Sequence, residues 1–288
     1  MKSSKTNTLF NNKKINEIKG VNLSERFGIN LSQLEVIFFL KKIEVSNIEI
    51  NLKFITEFIG NILNKIPFQN YKMIERGFGH IPTEKDIKED MFSLNGGTCA
   101  TINTFIGAIL YKIGFNVSLI NGTMMRTNDH IAILLNLENK FYTIDLGDGQ
   151  PYFTPNLINK NTITKHPFRT YRTITQSNNL RVEFLINAKW STDVILHLVP
   201  KTFNEVYTTL EKHYTQKKYG PFWNGVRFAI YPNNKIIAIR DKTFIIQKSN
   251  SIKKIKINNH KHLKELTTKY LPNFIDQIDL CFKTLRIL

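Results

Sequence analysis

The chain has 288 residues, 42% of them hydrophobic and 11% aromatic, which is the composition of a globular protein with a real core and a length that fits one large or two to three modest domains. No apolar run approaches the roughly 20 residues of a membrane-spanning helix. Two cysteines, Cys99 and Cys281, supply neither a disulfide framework nor metal-ligand spacing, so reduced thiols and no metal are expected; the formal charge of +17 favours an anionic partner, either nucleic acid or a phosphorylated cofactor.

Residues 1–35 read as a polar, basic extension with weak helix, carrying Lys2, Lys5, Lys13, Lys14 and Lys19 and only scattered apolar positions such as Leu9, Phe10 and Ile15. The opening MKSSKTNTLFNNKK has no apolar stretch of the signal-peptide kind, so the cytoplasm is the expected address. Helical spacing of apolar residues begins at Leu34–Ile43 and returns at Leu52–Ile66, where Pro67 ends it. The short string Pro67-Phe68-Gln69-Asn70 follows, then a helix over Glu84–Phe92.

Next comes Asn95-Gly96-Gly97-Thr98-Cys99. Two glycines predict a sharp turn, and the apolar positions Ile102, Phe105, Ile106, Ile109, Leu110 and Ile113 predict a helix that stops at Gly114. Cys99 falls in its first turn, where unpaired amide N–H groups and the positive end of the helix dipole favour a thiolate. A buried structural cysteine would fit the same string.

Beyond Gly114 the pattern turns to strands: Val117–Asn121, His130–Leu137 and Lys140–Leu146, then stretches around Arg169–Ile174, Val182–Ile186, Arg227–Tyr231, Lys235–Ile239 and Phe244–Gln247. Asn204–Lys212 predicts a connecting helix, as does His260–Leu271 before Pro272, and a last apolar helical segment spans Phe274–Leu288. Helices therefore come first, strands second and a mixed region last.

A nucleophilic cysteine needs a base, and the base an orienting group. His130 opens a strand whose next residues are all apolar, and Asp145 closes the following one, where a carboxylate requires a partner. With an even-residue turn near Glu138-Asn139, Asp145 lies opposite or next to Ala132, on the face that carries His130. A His–Asp pair is thus expected from the hairpin alone; its relation to Cys99 is not.

These strings together resemble the arylamine N-acetyltransferase family, whose members have Pro-Phe-Glu-Asn, Arg-Gly-Gly-x-Cys, Thr-His and Asp-Val-Gly-Phe-Gly with a proline downstream. Here they are Pro67-Phe68-Gln69-Asn70, Asn95-Gly96-Gly97-Thr98-Cys99, Asp129-His130 and Asp145-Leu146-Gly147-Asp148-Gly149, with Pro151 after. The resemblance implies an α+β fold: a helical domain (36–116) bearing Cys99, a central antiparallel β-barrel-like domain (117–218) bearing His130 and Asp145, and a C-terminal α/β lid (219–288). It implies Cys99 as acyl-accepting nucleophile, His130 as base and acid and Asp145 as its orienting group. Phe68, Gly97, Thr98, Gly147 and Asp148 become candidate substrate-binding residues. The implied reaction moves an acetyl or other acyl group from acetyl-coenzyme A to a small amine by a ping-pong path.

Two departures bear on this. Gln69 and Asn95 stand where the family has Glu and Arg, which exchanges a charge pair for an expected hydrogen-bonded pair of amides. Asp148 replaces the aromatic residue of Gly-Phe-Gly, which disfavours a flat apolar amine and favours a cationic or polar one. Three rivals remain: an amide synthase taking a longer chain from an acyl carrier protein, a Cys-His-Asp hydrolase, and a degenerate scaffold binding nucleic acid. The intact Cys99, His130 and Asp145 argue against the last, and nucleic acid is not the expected partner. The other histidines, at 80, 166, 197, 213, 260 and 262, show no partner pattern, and Cys281 reads as inert.

Overall fold

The first helices are fixed by their caps. In the computed structural model, which describes residues 21–149, 152–249 and 251–288, Asn22 caps α1 (Leu23–Phe27), Ser32 and Glu35 close a reciprocal capping box on α2 (Gln33–Lys42), and Asn51 caps α3 (Leu52–Lys65). Each cap satisfies an amide that the first helical turn leaves without a carbonyl. The lysines of the expected extension and Pro151 lie outside the described residues. Residues 21–35, read from sequence as part of that extension, contribute Phe27, Ile29 and Leu31 to the core at no more than 1% exposure.

β1 (Phe68–Gln69), α4 (Tyr71–Arg76) and α5 (Glu84–Phe92) lead to α6 (Cys99–Lys112). Every residue of α6 from Cys99 to Leu110 is buried. That helix packs on α5, on α1 and on the two strands that follow it, and each fully buried Ile or Phe on it contributes about 1.5–3 kcal/mol.

An eight-stranded antiparallel sheet follows. It comprises β2 (Asn116–Thr123), β3 (His130–Leu137), β4 (Lys140–Ile144), β5 (Asn156–Leu157), β6 (Thr162–His166), β7 (Arg169–Gln176), β8 (Asn179–Ile186) and β9 (Lys189–His197). In spatial order it runs β5-β4-β3-β2-β9-β8-β7-β6. It curls into a nearly closed barrel-like body around Ile120, Tyr152, Tyr171, Val182 and Leu196. α7 (Phe203–Thr215) then crosses to a second sheet of β10 (Arg227–Ile230), β11 (Ile236–Arg240), β12 (Thr243–Lys248) and β13 (Ser251–Lys256), covered by α8 (His260–Tyr270) and α9 (Ile275–Thr284). The α+β class and its three-part architecture are as the resemblance implied.

One strand belongs to neither expected neighbour. β1 joins the edge of the C-terminal sheet, with Phe68 opposite Ala229 and Gln69 opposite Phe228. Asn70, wholly buried, donates to the carbonyls of Phe222 (2.7 Å) and Gly225 (2.8 Å) and accepts from the amide of Arg227 (2.8 Å). The helical and C-terminal regions are thereby stitched together beside the turn that carries Cys99.

Candidate active site

The turn before Cys99 is built on β1. The Gly97 amide donates to the Pro67 carbonyl at 3.3 Å and the Gln69 amide to the Gly97 carbonyl at 2.9 Å. Gly96 adopts φ +69°, and a Cβ there would fall 1.9 Å from the Pro67 oxygen, so only glycine allows this approach. Thr98 then takes the N-cap position of α6, but its hydroxyl bonds Tyr214 Oη at 3.2 Å instead of capping the helix. Cys99 opens α6 at 5% exposure.

The β3–β4 hairpin delivers the imidazole and the carboxylate. Its two-residue turn, Glu138 and Asn139, has φ +51° and +58°, the left-handed pair that a twisted hairpin favours. Leu137 pairs with Lys140 and Ile133 with Ile144, which sets Asp145 on the face of His130. His130 Nε2 lies 2.6 Å from Asp145 Oδ2, with both side chains at most 3% exposed. Cys99 is the other polar neighbour that acts on the imidazole.

Burial alone would push His130 down; the Asp145 carboxylate and the sulfur of Cys99 outweigh it and hold the imidazole well above its ordinary range. A neighbouring carboxylate favours the protonated form of an imidazole.

Asn103, one turn after Cys99, ties α6 to the hairpin. Its Nδ2 donates to Asp145 Oδ1 (2.9 Å) and to the Ile131 carbonyl (2.7 Å), and its Oδ1 accepts from the Leu146 amide (3.0 Å). The Gly147 amide adds a bond to Asp145 Oδ1 at 3.1 Å. Gly147 packs on Cys99 itself: a Cβ there would fall 2.4 Å from the Cys99 Cα. Before the hairpin, Asp129 accepts the amides of Met124, Met125 and Arg126, while its own carbonyl bonds His213 Nε2 at 2.8 Å. Sequence reasoning assigned no role to Asn103 or Asp129. The available signal was a polar residue inside an otherwise apolar helix, four places after the cysteine.

A cleft of about 610 Å³ opens between the barrel-like body and the C-terminal sheet. Phe68, Asp148 and Gly149 form its wall toward the β3–β4 hairpin; Cys99, His130 and Asp145 do not line it. Of the five candidate substrate-binding residues, Phe68 and Asp148 thus face the cleft and Gly147 backs Cys99. Gly97 and Thr98 are not brought to it: they line a small hollow of about 10 Å³ behind the turn, with Gln69, Arg76, Asp90 and Tyr214.

The expected amide pair does not form either. Asn95 is bonded by Tyr71 Oη, Gln69 Oε1 accepts from the Lys72 amide, and Gln69 Nε2 is buried without a partner among the described residues. The charge pair of this region is instead Arg76 with Asp90, bidentate at 2.6 and 2.9 Å, because Asp90 is 2% exposed and a charge so placed requires a counter-ion.

Three of the remaining histidines do have side-chain partners: His80 meets Asp86, His260 meets Asp279, and His197 meets Thr123 and Asn179. Among the described residues no group of His, Cys, Asp and Glu side chains could hold a metal ion, and no helix is long and apolar enough to cross a membrane.

A cysteine at a helix start, an imidazole and a carboxylate on a barrel-like body with an α/β region over it define a class of acyl-transferring enzymes. A family model described as N-acetyltransferase matches residues 51–273, and the chain belongs to that family, the arylamine N-acetyltransferases, whose activity is acetyl transfer. The fold is similar to that of the Mycobacterium marinum arylamine N-acetyltransferase in complex with CoA (14% identity, 88% of this chain and 99% of that one, TM-score 0.77). It is also similar to the enzyme from Salmonella typhimurium (14%, 83% and 91%, TM-score 0.74) and to arylamine N-acetyltransferase C from Bacillus anthracis (20%, 84% and 99%, TM-score 0.70). No curated protein matches the sequence.

Proposed function

We propose that this chain transfers an acetyl group from acetyl-coenzyme A to an amine through a thioester on Cys99. The observation that carries the reading is the contact set of Cys99, His130 and Asp145, joined by Asn103, in which every element of an activated nucleophile is present on rigid secondary structure. The solved relative that holds CoA supports the donor, and the net positive charge suits the coenzyme's phosphates.

In this reading His130 holds the proton of Cys99. The thiolate attacks the acetyl carbonyl, and the Cys99 amide, which has no internal carbonyl partner among the described residues, donates to the developing oxyanion at the helix start. His130 passes its proton to the departing coenzyme A thiolate. The amine then attacks the acyl-enzyme, Cys99 leaves as thiolate, and His130 takes the proton that the nitrogen sheds. Asp145 keeps Nε2 protonated and the ring aligned throughout, as the orienting carboxylate of a triad does.

The test follows coenzyme A release. Mixing the enzyme with acetyl-coenzyme A and no amine gives one stoichiometric burst of free thiol and then a plateau, and adding an amine restarts turnover. No burst before the amine, or steady release without one, contradicts the reading, the second result marking a hydrolase.

A further inference from the structure

Asp148 is not absorbed by the triad. It follows Gly147, whose backbone rests on Cys99, and it is the only acidic residue lining the cleft among those described. Its carboxyl group is buried, although the residue as a whole is partly exposed, and it faces Asp193 of β9, whose Oδ2 in turn accepts the hydroxyl of the buried Tyr152 at 2.5 Å. The other titratable and charged groups around it are Asp145 and His130 of the hairpin and Tyr231, which donates to the Gly149 carbonyl at 2.6 Å. Arg169, Arg227, Arg240, Lys254 and His166 stand on the cleft walls.

Two facing carboxyl groups oppose one another's ionisation, and a carboxyl so placed binds its proton more tightly than one alone in water. That arrangement is out of place for a neutral aromatic amine, which reaches the enzyme with its lone pair free. An alkylamine, with a pKa of about 10 like that of lysine, arrives as an ammonium ion and cannot attack until it loses a proton.

We propose that Asp148 is the acceptor-side base of this enzyme: it receives an alkylammonium at the end of the cleft lined by Phe68 and Asp148, beside the Gly147 backbone that packs on Cys99, and takes the proton that the nitrogen must lose before attack. The proposal rests on the acyl-Cys99 reading. In the step, R–NH3⁺ gives one proton to the Asp148 carboxylate. The freed lone pair forms the C–N bond as the C–S bond breaks and the electron pair returns to sulfur; the second nitrogen proton passes to His130, which restores the imidazolium–thiolate pair. Asp148 returns its proton to water. Burial, then the Asp193 carboxyl, raises the proton affinity of Asp148 well above that of an ordinary aspartate, with Asp145 adding to the rise and His130 opposing it. A base so adjusted is better matched to neutral pH.

The experiment first loads the enzyme with acetyl-coenzyme A, removes free donor and confirms the adduct by mass. Discharge by propylamine and by aniline is then followed in single turnovers from about pH 6 to 9. Expected are efficient discharge by propylamine although nearly all of it is protonated, and a propylamine-to-aniline rate ratio that falls about 100-fold in Asp148→Asn. Asp193→Asn is expected to move the rise of propylamine transfer to lower pH. A wild type discharged by aniline and not by propylamine overturns the proposal, as does a ratio and pH profile that neither variant changes. Failure to load at all overturns the acyl-enzyme reading and this proposal with it.

Discussion

The two cysteines of this chain are both buried and both helical, and their surroundings differ in everything else. Cys281 sits in the interior of α9 among Phe274, Ile278 and Phe282, and burial pushes its thiol up to about 12. Cys99 stands at the first position of α6, with an imidazole in contact and a carboxylate behind that imidazole. Burial without polar company makes a thiol inert; the same burial at a helix start, with a proton acceptor held in place, is the setting we propose for a nucleophile.

The sharpest way to break this contrast is to remove each sulfur in turn. Cys99→Ala is expected to lower acetyl transfer by about 10⁵-fold or more, on the scale of nucleophile deletions elsewhere. Cys281→Ala is expected to leave the transfer rate as it is, since no part of the site touches it. Steady-state rates with a common amine check both.

A smaller effect probes the link between helix and hairpin. Asn103→Ala leaves the Ile131 carbonyl, the Leu146 amide and one Asp145 oxygen short of a partner, at about 1–3 kcal/mol for each buried group left unsatisfied. Urea unfolding is expected to show a loss of about 3 kcal/mol. A loss below about 0.5 kcal/mol, the scale of an ordinary surface change, would mean that Asn103 does not brace the site.

The smallest is a dependence on pH. His130 titrates at about 6.5 in the unfolded chain and well above that in the fold, where Asp145 and Cys99 outweigh burial. The stability it contributes is therefore fully present below about pH 6.5 and is lost as pH rises through the raised folded value. The difference in Tm between wild type and His130→Gln, followed over the pH range, is expected to shrink toward alkaline pH; a difference that grows would reverse the sign.

How far the chain could be read without coordinates depends on range. α6 announced itself by apolar spacing, and the contact of His130 with Asp145 followed from the parity of a two-residue turn, because both are local regularities. The seat of β1 on the C-terminal sheet, the three bonds of Asn70 and the pairing of Arg76 with Asp90 join residues far apart in sequence or on separate helices, and long-range partners leave no period. Strands β9 and β13 escaped notice for related reasons: Ser251–Lys256 is largely polar and exposed, and in Lys189–His197 the alternation that marks a half-buried strand is confined to the second half, around Val194 and Leu196. Asp193, which faces Asp148, was hidden with β9. Gln69 and Asn95 misled because two amides at matching motif positions suggest a pair, whereas the fold gives Tyr71 to one and the Lys72 amide to the other.

The central claim is that the sulfur of Cys99 carries the acyl group. Incubation with acetyl-coenzyme A alone, rapid acid quenching and peptide mapping by mass spectrometry locate any covalent acetyl group directly. The account predicts a single acetyl group on the peptide containing Cys99, removed when an amine is added before the quench. An unmodified Cys99 peptide, or acetylation confined to surface lysines, would contradict it.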